Sequence, residues 1–229
     1  MTAVILQARL DSSRLPNKAL LPLGEKPVIE RAMQRLAVVR ADFYILACPE
    51  DSVEQFTPLA FSQEFDIFAG SKDDVLARYC GAIRHFNIAE DARIIRATGD
   101  NPFVFFDAAD AVNNKAVSAG ADYAGYTGLP YGAGVESAAA GALLRAEKEA
   151  ALPHEREHVC PYLYDHPEIF KLRRPKAPKK WFAPDVRLTI DTGEDYENAK
   201  VLFNALQRHD NMPASGEVII KVYNSIFKK

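Results

Sequence analysis

The stretch QARLDSSRLPNK (7–18) follows at once on the apolar run AVIL (3–6). It gathers Arg9, Arg14 and Lys18 around Ser12 and Ser13, and Leu15-Pro16 closes it. Arginine presents forked donors that match phosphate oxygens, and lysine presents a compact point charge. The serines add hydroxyl and backbone donors. Pro16 stiffens the loop, which lowers the cost of ordering it around an anion. The pattern is neither G-x-x-x-x-G-K-[ST] nor G-x-G-x-x-G, so an anion site here rests on side-chain cations. A solvated basic turn has the same composition. Three cations in ten residues directly after the first strand favour the anion site.

Two aspartates stand at comparable places. Asp100 lies in TGDNPF (98–103), after the apolar run ARIIRAT (92–98). An aspartate in such a turn can hold Mg2+ beside bound phosphates, or hydrogen-bond its own backbone, and alone it does not choose. Asp191 follows VRLTI (186–190) and opens DTGED (191–195). Thr192 with Asp195 three residues on has the form of a capping box, which leaves Asp191 unexplained. Two aspartates at separate strand ends, facing a basic loop, make a metal–phosphate site.

The segment HEREH (154–158) matches H-E-x-x-H, which on a helix would set His154 and His158 on one face for zinc. Pro153 and Pro161 leave barely two helical turns there, and a zinc peptidase needs a longer helix and a third ligand. Zinc is therefore not expected. His85, His166 and His209 are isolated and read as satisfied or solvated. Cys48, Cys80 and Cys160 lack C-x-x-C spacing and read as buried small apolar residues.

Hydrophobic periodicity gives the elements that must position these groups. Strands are predicted over 2–8, 43–48, 65–70 and 92–98, alternating with helices over 26–39, 50–59, 73–86 and 108–119, the last capped by Asp107. A strand over 121–126, helices over 139–150 and 154–165, strands over 168–174 and 186–190, and helices over 194–206 and 216–227 follow. RRPKAPKKWFAPD (173–185) is basic and proline-rich, and reads as a solvated arm at a dimer contact more readily than as a site for an anionic partner. The alternation argues an α/β fold: one mostly parallel central sheet with helices on both faces, in a single domain. Such sheets bind ligands at the carboxyl ends of their strands, where the loops above lie.

Composition sets the outer limits. With 229 residues, one large α/β domain is expected. At 48% hydrophobic and 26% charged the chain is not disordered, and a net charge of -3 gives no basic field for nucleic acid. Arg9 interrupts the first apolar run too early for a membrane span or signal core. The expected setting is cytoplasmic, with no membrane partner.

Five segments in order, QARLDSSRLPNK, GSKDDVLARY, TGDNPFVFFD, EREHVCPY and RLTIDTGEDYE, resemble the cytidylyltransferases. More narrowly they resemble the spore coat polysaccharide biosynthesis branch, related to the CMP-Kdo and CMP-sialate synthetases. The resemblance runs from about residue 3 to 206 and implies a Rossmann-like nucleotidyltransferase fold, CTP, Mg2+, a sugar or sugar-acid acceptor and release of pyrophosphate. It implies that Arg9, Arg14 and Lys18 contact the triphosphate with Ser12 and Ser13. It implies that Asp100 and Asp191 bind the metal, and that Ser71 lies near base and ribose. Arg9, Lys18 and Asp100 are the expected catalytic set, and relatives of this kind are often homodimers. The branch's P-D-G-x-D-V-E segment reads PYGAGVE (130–136) here, leaving Glu136 as the acceptor-side acid, and its T-P-E-D reads TGED. Either the acceptor differs or transfer is reduced, with 125–185 as the acceptor-binding or dimerisation subregion. A non-catalytic nucleotide- or sugar-binding subunit is the alternative, and a nucleotide-sugar glycosyltransferase a weaker one, since DNPFVFFD lacks the D-x-D spacing.

Overall fold

The computed structural model describes residues 1–208 and 213–228, so His209 lies outside the described residues. The chain begins with β1 (Thr2–Gln7), a 3-10 turn (Lys18–Leu20), β2 (Pro22–Leu23), β3 (Lys26–Pro27) and α1 (Val28–Leu36). It continues through β4 (Phe43–Pro49), α2 (Val53–Ser62), β5 (Asp66–Gly70), α3 (Val75–His85), β6 (Arg93–Thr98) and α4 (Phe106–Ala119). Then come β7 (Tyr123–Gly125), β8 (Glu136–Ala139), α5 (Ala140–Glu149), α6 (Pro153–His158), α7 (Pro161–Asp165), β9 (Leu172–Arg173), α8 (Gly193–Gln207) and α9 (Gly216–Phe227).

Seven strands form one sheet in the order β5-β4-β1-β6-β8-β7-β9. β1 pairs in parallel with both β4 and β6, so it lies buried on both faces, as its continuous apolar run requires. Alternate residues then serve two cores. Ala3 and Ile5 pack with Tyr79, Cys80 and Leu143 from α3 and α5, while Val4 and Leu6 pack with Met33, Phe56 and Val112 from α1, α2 and α4. A third core joins α8 and α9 to Phe103, Trp181 and residues 186–190. Cys48, Cys80 and Cys160 are all buried, and burial raises each thiol, that of Cys48 to about 11.

The strands and helices of the first 120 residues fall where periodicity places them, and four later features differ. β8 was not expected. It enters antiparallel between β6 and β7 and takes the position beside β6. Residues 186–190 are therefore an extended segment over the end of the sheet, joined to Tyr131 by a single bridge at Arg187. The strand expected over 168–174 shrinks to the two residues of β9, because Ile169 and Phe170 turn back on the His166 carbonyl. The helix expected over 154–165 breaks at Val159, whose φ of 72° and ψ of -55° form a strained three-residue turn closed by Cys160 N donating to His158 O at 2.9 Å. Asp107 does not cap its own helix. It sits inside the first turn of α4 and accepts from Gly216 N at 3.2 Å and Trp181 Nε1 at 3.1 Å. Its charge thus meets the positive end of α9.

Two local devices fix the segment that carries Asp191. Gly132, at φ 88°, lets the 130–134 loop pass against residue 189. A Cβ there would lie 2.5 Å from Thr189 N and 2.9 Å from Asn101 Oδ1. At the start of α8, Thr192 Oγ1 accepts from Asp195 N at 3.2 Å, and Asp195 Oδ2 accepts from Asp191 N and Thr192 N, each at 3.0 Å. Arg187 Nε closes on Asp195 Oδ1 at 2.7 Å. Burial alone would raise the Asp195 carboxyl, but Arg187 and the backbone donors outweigh it and hold the group at about 2.

Gly132→Ala is expected to cost about 1–3 kcal/mol, from the positive φ and the close approach to residue 189, as read by urea unfolding. Asp195→Asn tests the cap by pH. Because the native carboxyl sits below the ~3.9 of an unfolded aspartate, its contribution is complete above pH ~4 and lost as pH falls toward ~2. The variant's deficit, on the order of 1–2 kcal/mol at pH 7, should vanish at the acid end of a pH series of unfolding curves.

Candidate active site

Three loops meet at the carboxyl ends of the strands. The first follows β1. Leu10 O accepts from Ser12 N at 3.0 Å and Asn17 N at 3.1 Å, which folds residues 10–17 into a closed loop. Asn17, in the left-handed region at φ 53°, starts the 3-10 turn, whose Ala19 is buried in the core. Lys18 is thereby turned inward. The second loop follows β6. Gly99 N donates to Gln7 O at 2.8 Å, and a Cβ on Gly99 would lie 3.0 Å from Ala8 Cβ, so the chain passes close to the end of β1. The third is 187–192, tied to the second by Ile190 N donating to Asp100 O at 2.9 Å.

The ammonium of Lys18 sits between two carboxylates, 2.7 Å from Asp100 Oδ2 and 2.8 Å from Asp191 Oδ1. Arg14 Nη2 lies 3.2 Å from the same Asp191 oxygen, and Arg187 Nη2 donates to the other at 2.8 Å. Asp191 is 7% exposed. Burial pushes its carboxyl up, and Lys18, Arg14 and Arg187 together hold it below the usual carboxylate range. The structure thus brings Arg14, Lys18, Asp100 and Asp191 into direct contact. The donors facing the cation are oxygens alone, one carboxylate each from the second and third loops. Among the described residues no group of three His, Cys, Asp or Glu side chains gathers. That donor set fits Mg2+, which binds through one or two carboxylates and takes its other ligands from water and phosphate.

The remaining expected residues make no hydrogen bond or ion pair with this pair among the described residues. Arg9 is exposed, with Nε 3.8 Å from Asp11 Oδ1. Ser12 Oγ accepts from Leu15 N at 3.4 Å, and Ser13 is exposed. Ser71 Oγ accepts from Asp74 N at 3.0 Å at the start of α3. Glu136 lies within the sheet, where Arg96 Nη1 donates to one oxygen at 2.7 Å and Tyr123 OH to the other at 2.8 Å. The HEREH segment is engaged elsewhere. Glu155 accepts from Leu152 N at 2.9 Å and His154 Nε2 faces Asp165 at 3.5 Å.

The structure adds residues that the motifs did not mark. Arg187 binds both Asp191 and Asp195, and stacks over the exposed ring of Tyr131 at 4.9 Å. The alternation V-R-L-T-I was its signal, since it sets Arg187 and Thr189 on the opposite face from Val186, Leu188 and Ile190. Lys72 joins the first loop to the 70–74 turn through Asp11 at 2.8 Å. Arg78, 2% exposed, donates to Ser71 O at 2.5 Å and is in no ion pair with a described carboxylate.

Comparison with known proteins agrees with this geometry. A cytidylyltransferase family model matches residues 3–218. The spore coat polysaccharide biosynthesis protein SpsF of Bacillus subtilis (strain 168) is 32% identical, over 92% of this chain and 90% of that one. The 3-deoxy-manno-octulosonate cytidylyltransferase of Aeromonas hydrophila is 30% identical over 44% of this chain and 41% of its own. A solved cytidylyltransferase from Leptospira borgpetersenii superposes with a TM-score of 0.87 at 26% identity, covering 98% of this chain and 94% of that one. The mostly parallel sheet and its flanking helices are shared with the solved cytidylyltransferase, and this chain belongs to the cytidylyltransferases.

Proposed function

We propose that the protein transfers CMP from CTP to a hydroxyl of a sugar or sugar acid, with release of pyrophosphate, in the synthesis of a polysaccharide. One observation carries the reading: a single cation is held by Asp100 and Asp191 beside the cationic first loop, in a chain of this family. Asp100 and Asp191 are the residues that would hold Mg2+. Bound there, the ion would supply Lewis acidity toward the α-phosphate.

The protein's own groups do the rest by position and charge. Arg14 and Lys18, with Arg9 at the rim, are placed to neutralise the triphosphate and the charge gathering on the departing pyrophosphate. Arg187 keeps Asp191 ionised and fixed in direction through two hydrogen-bonded carboxylates. Tyr131, 62% exposed, carries the Arg187 guanidinium 4.9 Å over its ring, and its exposure supports an acceptor on that side of Asp191. Ser71 and Arg78 shape the turn proposed to face base and ribose.

Asp100→Asn is expected to lower kcat for pyrophosphate release by about 10²–10³, the effect of losing one preorganised electrostatic contact. Release at the wild-type rate, with CTP and a working acceptor, would remove Asp100 from the site. Lys18→Met should raise the KM for CTP by at least about tenfold, corresponding to one charge-assisted contact, while the KM for acceptor changes little. Equal weakening of both substrates would count against a triphosphate role.

A further inference from the structure

The far edge of the sheet carries a feature that the proposed reaction does not use. A cavity of about 330 Å3 lies between α4 and β9, lined by Lys115, Ser118, Leu172, Arg173, Arg174 and Pro175. Its three cations are exposed, and none is in an ion pair with a described carboxylate. At the carboxyl rim the pattern is the reverse: Arg14, Lys18, Lys72 and Arg187 are each paired. Asp122, at the foot of β7, already accepts from Lys171 N at 2.7 Å. Three like charges around one concavity repel one another, and in a chain of net charge -3 they are not the result of a general basic excess.

The geometry favours a ligand over simple solvation. Arg174 Cζ lies 5.3 Å from the centre of the Tyr164 ring, a contact that limits its rotamers. Arg173 lies on the open edge strand β9 with Lys115 among the residues lining the same cavity, and a forked donor beside a compact cation suits an oxyanion with several acceptor oxygens. The volume falls at the lower end of the ~300–1,000 Å3 typical of small-molecule sites. No lining residue belongs to the Lys18–Asp100–Asp191 site.

We propose that this cavity binds a small oxyanion with two or more acceptor oxygens, a phosphate ester or a carboxylated sugar, at a site separate from that for the nucleotide. Calorimetric titration of the full chain at low ionic strength tests this, with glucose 6-phosphate, glucuronate and inorganic phosphate as probes. Each titration is run with and without saturating CTP, so that failure of the nucleotide reading and failure of this one are distinguishable. One probe should bind at one equivalent in the presence of CTP, more weakly as salt rises. The Arg173→Ser/Arg174→Ser variant should lose at least about tenfold in that affinity, and so should Lys115→Ser, an exposed position whose change leaves the core intact. Tighter binding of glucose 6-phosphate than glucuronate identifies the phosphate ester class, and the reverse identifies the carboxylated sugar. Absence of binding to the wild-type chain, or equal binding by wild type and variants, overturns the proposal.

Discussion

Two aspartates held face to face in a half-buried space repel each other, and the contact of both with Lys18 is what makes the arrangement tenable. The three residues come from loops that are 82 and 173 positions apart in the chain. Bringing them together requires β1, β6 and the packing of α8 to be in place at once. The ammonium, with Arg14 and Arg187 on the more buried member, keeps Asp191 charged. The carboxyl rim of the sheet is thus organised by electrostatics. The hydrophobic cores below it determine only that the loops arrive.

The position of Asp191 shows how the two levels meet. Its segment is no strand of the sheet, yet backbone hydrogen bonds hold it from both sides. Tyr131 N donates to Val186 O and Leu188 N to Tyr131 O, each at 2.8 Å, and Ile190 N donates to Asp100 O. Val186, Leu188 and Ile190 point down into the third core, so Arg187, Thr189 and Asp191 face the other way. β8, antiparallel, pairs with β6, and the 186–190 segment is bridged to Tyr131 instead of joining the sheet.

The first half of the fold was legible because parallel strands buried on both faces read as near-continuous apolar runs, as β1 and β4 do, and β6 keeps an apolar centre between Arg93 and Arg96. Lys18, Asp100 and Asp191 were legible for a related reason, since each stands just past such a run in a loop too polar to be core. β8 was not legible: Glu-Ser-Ala-Ala is short, carries no β-branched residue and lacks a strand's alternation. Arg187 was not singled out in the strand expected over 186–190, because its partners Asp191 and Asp195 are set by the fold of the following cap. Asp107 was misplaced because local sequence shows which helix start is near in the chain, while its actual partner, Gly216, is near only in space. Glu136 stood out as an acid in a loop motif, and its pairing with Arg96 and Tyr123 depends on a strand that the pattern did not reveal.

Val159 has a further consequence. A β-branched residue at positive φ stores about 1–3 kcal/mol of backbone strain, and glycine would relieve it. Yet Val159 is fully buried in the core shared by α3, α5 and α7, and glycine would leave a void there. The two terms oppose each other at one residue, so the bend has no local preference for its own shape. The surrounding core holds the shape of the bend, while Pro161, which has no N–H for an i→i−4 hydrogen bond, already makes α7 a separate helix.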